Sequence, residues 1–189
     1  MTNVLTDLKN KFLIATADLN GTVFERSVVY VCSHSEEGAM GVVVNRPLES
    51  VAFTDIAKSL NVEPLIQKRQ PIIYNGGPVE RHRGFVVHTA DYKNKDSFSV
   101  SGDIMFSTTS DIVADIAHGI GPTDVTFCLG YAGWGESQLE DELKAGSWLV
   151  LEGDAHTLFD TPAQEKYDYC TQKLGLNALN YAGRVVGIA

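Results

Sequence analysis

A chain of 189 residues with 44% hydrophobic and 21% charged side chains has the apolar mass for a core without staples, which excludes extended disorder and predicts one domain over 1–189. A net charge of −9 sets the chain against a phosphate backbone, so direct nucleic-acid binding is disfavoured. Phe12 to Ala15 is too short for a signal-peptide core, and no run approaches the roughly 20 apolar residues of a membrane span, so the expectation is a cytoplasmic chain with no membrane partner.

The first half reads as strand after strand. KFLIAT (11–16), RSVVYVCS (26–33), MGVVVN (40–45) and QPIIY (70–74) are rich in β-branched and aromatic residues and bounded by Gly, Asn or Pro. A helix starting at Thr54, with Ile56 and Leu60 on one face, interrupts them before Asn61. GFVVHT (84–89), SFSVS (97–101) and IMFST (104–108) follow, with Gly102-Asp103 predicting a two-residue hairpin turn.

Beyond residue 108 strands and helices alternate. A helix over Ser110–His118 has Asp111 in its first turn and Ile112 and Ile116 inside. The strand VTFCLGY (125–131) leads to a helix over Glu136–Ala145, with Leu139 and Leu143 inward and Glu140 and Lys144 set for an i,i+4 pair. SWLVLE (147–152) is the last strand. The final helix opens TPAQ, with Thr161 as cap, Pro162 in the first turn and Gln164 placed for a capping box. Its inner stripe is Ala163, Tyr167, Cys170 and Leu174. This order predicts an α+β fold: a mixed sheet surrounded by about four helices.

Charge is unevenly distributed. Glu136 to Asp168 holds nine acids against Lys144 and Lys166, whereas Lys68 to Lys95 holds six basic residues against Glu80 and Asp91. The patch at Arg81, His82 and Arg83 suits a small anion or an acidic protein surface.

Common catalytic templates are missing. The cysteines Cys32, Cys128 and Cys170 make no CxxC pair, and Cys32 and Cys128 sit in apolar runs that predict buried free thiols in a reducing compartment. His34, His82, His88, His118 and His156 never fall at metal-ligand spacing, and no GxSxG elbow occurs. No metal or cofactor is implied. If residues 26–34 form one regular strand, Cys32 and His34 share a face, an arrangement that can lower a thiol's pKa.

Three glycine-bearing runs look most like sites: GAMGVVVNRP (38–47), NGGPVERHRGFVVH (75–88) and LGYAGWGESQLEDE (129–142). Gly76-Gly77 frees the backbone for an anion-holding turn that Pro78 stiffens and Arg83 could charge. The third run turns from strand to helix, with Tyr131 and Trp134 as pocket walls and Gln138 as a polar group. In each run the dull alternative is a tight connection anchored by its own side chains.

The three runs, with FLIA (12–15), FERSVVY (24–30), TTSD (108–111) and Trp148-Leu149, resemble the AlgH/YqgE family of bacterial proteins over nearly the whole chain. Departures are Gly21-Thr22 for an Asp-Pro, Ser137 for a glycine before Gln-Leu-Glu, and Gly146 for an Asn. The resemblance implies a compact α+β fold with a mixed or partly barrel-like sheet, and a bacterial cytosolic protein of unestablished activity that often carries a transcriptional-regulator label.

The leading expectation is a non-enzymatic binding or regulatory module for a small ligand or protein segment. Its binding face is expected at Asn45, Gly76, Gly77, Pro78, Val79, Arg83, Tyr131, Trp134 and Gln138. The rival is a small enzyme, with hydrolysis as one candidate chemistry, using His34, Cys32 or His88 with Arg83 as anion holder. A regulator acting directly on DNA ranks last.

Overall fold

The computed structural model describes residues 7–65, 70–108 and 110–175. Its strands are β1 Lys11–Ala15, β2 Val28–Ser35, β3 Gly38–Val43, β4 Ile73–Asn75, β5 Val79–Thr89, β6 Phe98–Ser99, β7 Ile104–Ser107, β8 Val125–Trp134 and β9 Trp148–Glu152. They join in one sheet of order β6-β7-β5-β8-β3-β2-β1-β9, with β4 parallel to β8 off this path. The sheet curls as part of a barrel, and the fold is α+β. Among the described residues no helix is long and apolar enough to cross a membrane.

Alternation along the strands sorts the core into faces. Phe12, Ile14, Val28, Tyr30, Cys32 and Val42 pack with Phe85, Phe106, Cys128 and the Tyr167–Cys170 stretch on one side. On the other, Leu13, Val29, Val31, Trp134 and Trp148 meet Leu139 of helix α3 (Gln138–Lys144). Further along, Ile73, Val86 and Phe127 pack against α1 (Phe53–Ser59) and α2 (Ser110–Ala117).

Several local expectations change. In α1 the buried residues are Phe53 and Ala57, while Leu60 follows the helix and is exposed, because an aromatic at its first position takes the core side. The β6–β7 hairpin is not closed by a two-residue turn: the amides of Val100 and Ser101 both donate to the Ile104 carbonyl. Lys144 pairs with Asp141 at 3.0 Å, since Glu140 is drawn inward to His34. In α4 (Ala163–Lys173) Pro162 is the N-cap, and the Thr161 hydroxyl donates to the carbonyl of His156. The residues His156–Asp160 form a π-helical turn that the sequence does not announce.

Candidate functional site

β2 carries a bulge: Val31 pairs with Gly41 but Ser33 with Met40, so two steps on β2 face one on β3. The extra residue reverses the alternation that follows it. Cys32 stays in the core with Tyr30 and Val42, while His34 turns to the α3 side. There its Nε2 lies 2.8 Å from a Glu140 carboxylate oxygen, and Nδ1 accepts the amide of Leu8. The two residues are therefore not a pair, which corrects the shared-face expectation.

The other reagents of the enzymatic rival are also enclosed. Cys32 is fully buried, and burial pushes its thiol well above the ordinary value, with Cys128 adding to the effect. His88 is fully buried too; its Nδ1 lies 2.9 Å from the Thr89 carbonyl and its Nε2 2.9 Å from Ser107 Oγ. Burial lowers its pKa. Ser107, which sequence reading did not single out, is itself fully buried. Among the described residues no group of His, Cys, Asp and Glu could hold a metal ion.

Much of the glycine-bearing sequence braces backbone. Asn45 accepts the amide of Val28 and donates to the carbonyl of Arg26, and Arg46 donates to the carbonyls of Val23 and Glu25. The NRP run thus fastens the segment that enters β2. Gly77 has φ +151, and a Cβ there would fall 2.2 Å from the Tyr131 carbonyl, so only glycine lets the chain cross β8 this closely. The Gly76 amide donates to Leu129 and the Gly77 amide to Asn75 Oδ1. With both amides occupied, the turn is a backbone crossing and not an anion nest. Gln138, the first residue of α3, accepts the amide of Gly135 and donates to Glu142, so its side chain is occupied in bracing the turn into the helix.

A groove of about 520 Å³ does form, where β3, β5, β7 and β8 meet. Arg83, Tyr131 and Trp134 line it; Asn45, Gly76, Gly77, Pro78, Val79 and Gln138 do not. The groove adds Phe85, Phe98 and Phe106, which look like ordinary strand core in sequence. The rings form a chain of tilted and edge-on contacts: Phe98 to Phe106 at 4.9 Å, Phe106 to Phe85 at 6.0 Å, and Phe85 to Tyr131 edge-on at 5.2 Å between centroids. Phe85 and Phe106 are buried and Phe98 is exposed. Arg83 lies 5.4 Å over Phe85 and pairs with Glu80 at 3.1 Å. Glu37, Ser33, Ser35 and Thr108 complete a polar margin.

A second cavity of about 370 Å³ lies between α1, α2 and β5, lined by Ile56, Leu60, Val113 and Phe127 together with His82 and Ser110. Arg83 and Thr108 line both. Chemically, the ensemble offers exposed aromatic and apolar contact beside cationic groups, and among the described residues that line it no accessible nucleophile and base are in hydrogen-bond contact.

Comparison with known proteins agrees with this architecture. The chain is 41% identical to a UPF0301 protein of Rhodospirillum rubrum, covering 87% of this chain and 86% of the relative. It is 37% identical to one of Yersinia enterocolitica, covering 93% and 96%. The solution structure of the AlgH protein from Pseudomonas aeruginosa superposes with a TM-score of 0.80 at 36% identity, over 100% of both chains. The crystal structure of protein DIP2367 from Corynebacterium diphtheriae shares the fold at 18% identity, with a TM-score of 0.69 over 91% and 90% of the chains. The model of the AlgH-like family matches residues 12–179, and the chain belongs to that family.

Proposed function

We propose that this protein is a non-enzymatic binding module with a regulatory role, whose aromatic groove holds a small ligand or a protein segment. One observation carries the reading: Phe98 and the half-buried Tyr131 face an open groove beside Arg83, backed by the buried rings of Phe85 and Phe106, while Cys32, His34 and His88 are enclosed elsewhere. Exposed aromatic area at Phe98 and Tyr131 next to a guanidinium is suited to recognition, because it supplies apolar area and one charge-assisted donor. The guest is a small ligand or protein rather than nucleic acid or lipid, in keeping with the net charge of −9. Three free buried cysteines accord with a reducing, cytoplasmic setting.

The test is a thermal-shift screen of metabolites and peptides, because a guest bound only by the folded chain raises its melting point. Compounds that stabilise the wild type should fail to stabilise Phe98→Ala and Arg83→Ala, both changed at exposed groove positions. Stabilisers that act equally on both variants, or a broad screen with none, would remove the groove from consideration.

A further inference from the structure

β5 is unpaired at the point where the two cavities meet. β7 pairs with β5 only over Val86–Thr89 and leaves the sheet after Ser107. On the opposite side, the register with β8 jumps from Val79↔Tyr131 to Gly84↔Leu129. Glu80, Arg81, His82 and Arg83 therefore have no ladder partner in either register. Glu80 adopts φ +47, a left-handed conformation that L residues avoid, and it begins the outward arch. All four residues are exposed, and the exposed apolar side chains Leu60, Val79 and Phe98 lie nearby.

The two cavities lie on opposite faces of the sheet. Phe85 belongs to the core face with Phe106, whereas Val86 belongs to the face covered by α1 and α2. An extended chain laid beside Arg81–Arg83, past the end of β7, sends successive side chains to opposite faces. One apolar residue would enter the aromatic groove and its neighbour the cavity of Ile56, Leu60 and Val113. Main-chain bonds to the open edge supply affinity, and the two pockets supply selectivity.

We propose that this edge of β5 receives an extended segment of a partner protein as an added strand, with two adjacent apolar residues flanked by acids. The proposal rests on the groove reading above and specifies its guest. Charge selects the acidic flanks: on this segment Arg81, His82 and Arg83 stand against Glu80, which pairs with Arg83 and leaves Arg81 to meet an acid, while Glu37 lies across the groove. The same charges oppose pairing with a second copy, which would bring two basic arches together.

The probe is the fluorescein-labelled peptide EDFLDE, titrated by anisotropy and by amide NMR on the full chain at low salt. Expected are saturable binding, shifts centred on Arg81–Gly84 and Thr108, and weakening as salt rises. The Arg81→Ala/Arg83→Ala variant, altered only at exposed side chains, should bind at least tenfold more weakly, with an unchanged melting point. KKFLKK, and EDFLDE methylated on the amides of its two apolar residues, should lose binding. Equal affinity for KKFLKK, for the methylated peptide or for the variant would overturn the proposal. So would shifts located elsewhere, or a concentration-dependent dimer that the peptide disperses. If thermal-shift stabilisers depend on Phe98 but EDFLDE does not bind, strand addition fails and the groove reading stands. If neither binds, both fail.

Discussion

Trp134 and Trp148 share one acceptor: both indole N–H groups donate to the same carboxylate oxygen of Glu142, at 2.9 and 2.7 Å. The rings meet edge to face, with centroids 6.0 Å apart. One residue of α3 thus fixes the end of β8, a wall of the groove, against the sheet-edge strand β9.

Glu142→Ala leaves two buried indole donors unpaired. An unsatisfied buried donor costs about 1–3 kcal/mol, and more when the lost partner was charged. The expected loss is on the order of 3 kcal/mol in urea unfolding, a fall in melting point of roughly 6–12 °C for a domain of this size. Glu142→Gln keeps an acceptor oxygen and should lose about half as much. No difference between the two variants would show that the carboxylate is not what holds the rings.

Ser137 sits at φ +60, ψ −3 as the N-cap of α3, and its side chain makes no capping bond. A left-handed L residue costs about 1–2 kcal/mol, part of which glycine's greater unfolded-state entropy returns. Ser137→Gly should therefore stabilise the fold by roughly 0.5–1 kcal/mol. The conformation suits the glycine that the family resemblance implies at this position. A lower melting point in Ser137→Gly would refute the argument.

Most of the sheet was legible because β-branched runs between turn residues have few other conformations, as RSVVYVCS and VTFCLGY illustrate. The β2 bulge was not, because an extra residue is defined only by the partner strand, and this one separated Cys32 from His34. Tyr131, Trp134 and Arg83 could be suspected from their glycine neighbours. Phe98 could not, since an aromatic in a strand looks the same whether it joins the core, as Phe85 and Phe106 do, or stands exposed at a groove. The burial of Lys166 is legible from spacing alone: it lies three residues after Ala163 and four before Cys170, on the same inward stripe.

Cys32, Cys128 and Cys170 are all free and fully buried. Burial raises Cys128 to about 12 and Cys170 to about 11, and takes Cys32 well above its ordinary value. The thiolate is the reactive form, so none should react in the native chain. Treatment with a chromogenic disulfide at pH 8 should release almost no thiolate until denaturant is added, whereupon all three cysteines react. Fast native labelling of Cys32 would return the enzymatic rival to consideration.

Lys166 is 1% exposed, and its ammonium donates to the Leu158 carbonyl at 2.8 Å. Burial lowers its pKa from 10.5 to about 8. Between those values the unfolded chain holds a proton that the folded chain has released, so this group makes stability rise with pH from about 8 towards 10.5. Below 8 both states are protonated and the penalty is constant, roughly 3 kcal/mol at the conversion of 1.36 kcal/mol per pKa unit. The buried thiols act oppositely: their folded values are raised, so stability falls as pH passes the unfolded thiol value near 9. Lys166→Met isolates the amine up to pH 10. Loss of its charge raises Cys128 and Cys170 further, but both stay protonated in the folded state of either chain over this range, so the thiol loss there is set by the unfolded state. Its stability relative to wild type should be constant from pH 6 to 8 and should decline from 8 to 10, as wild type alone gains. Loss of the Leu158 bond shifts this difference by about 1 kcal/mol at every pH without changing its slope. A difference flat through pH 10 would mean that the ammonium is solvated and the burial argument is wrong.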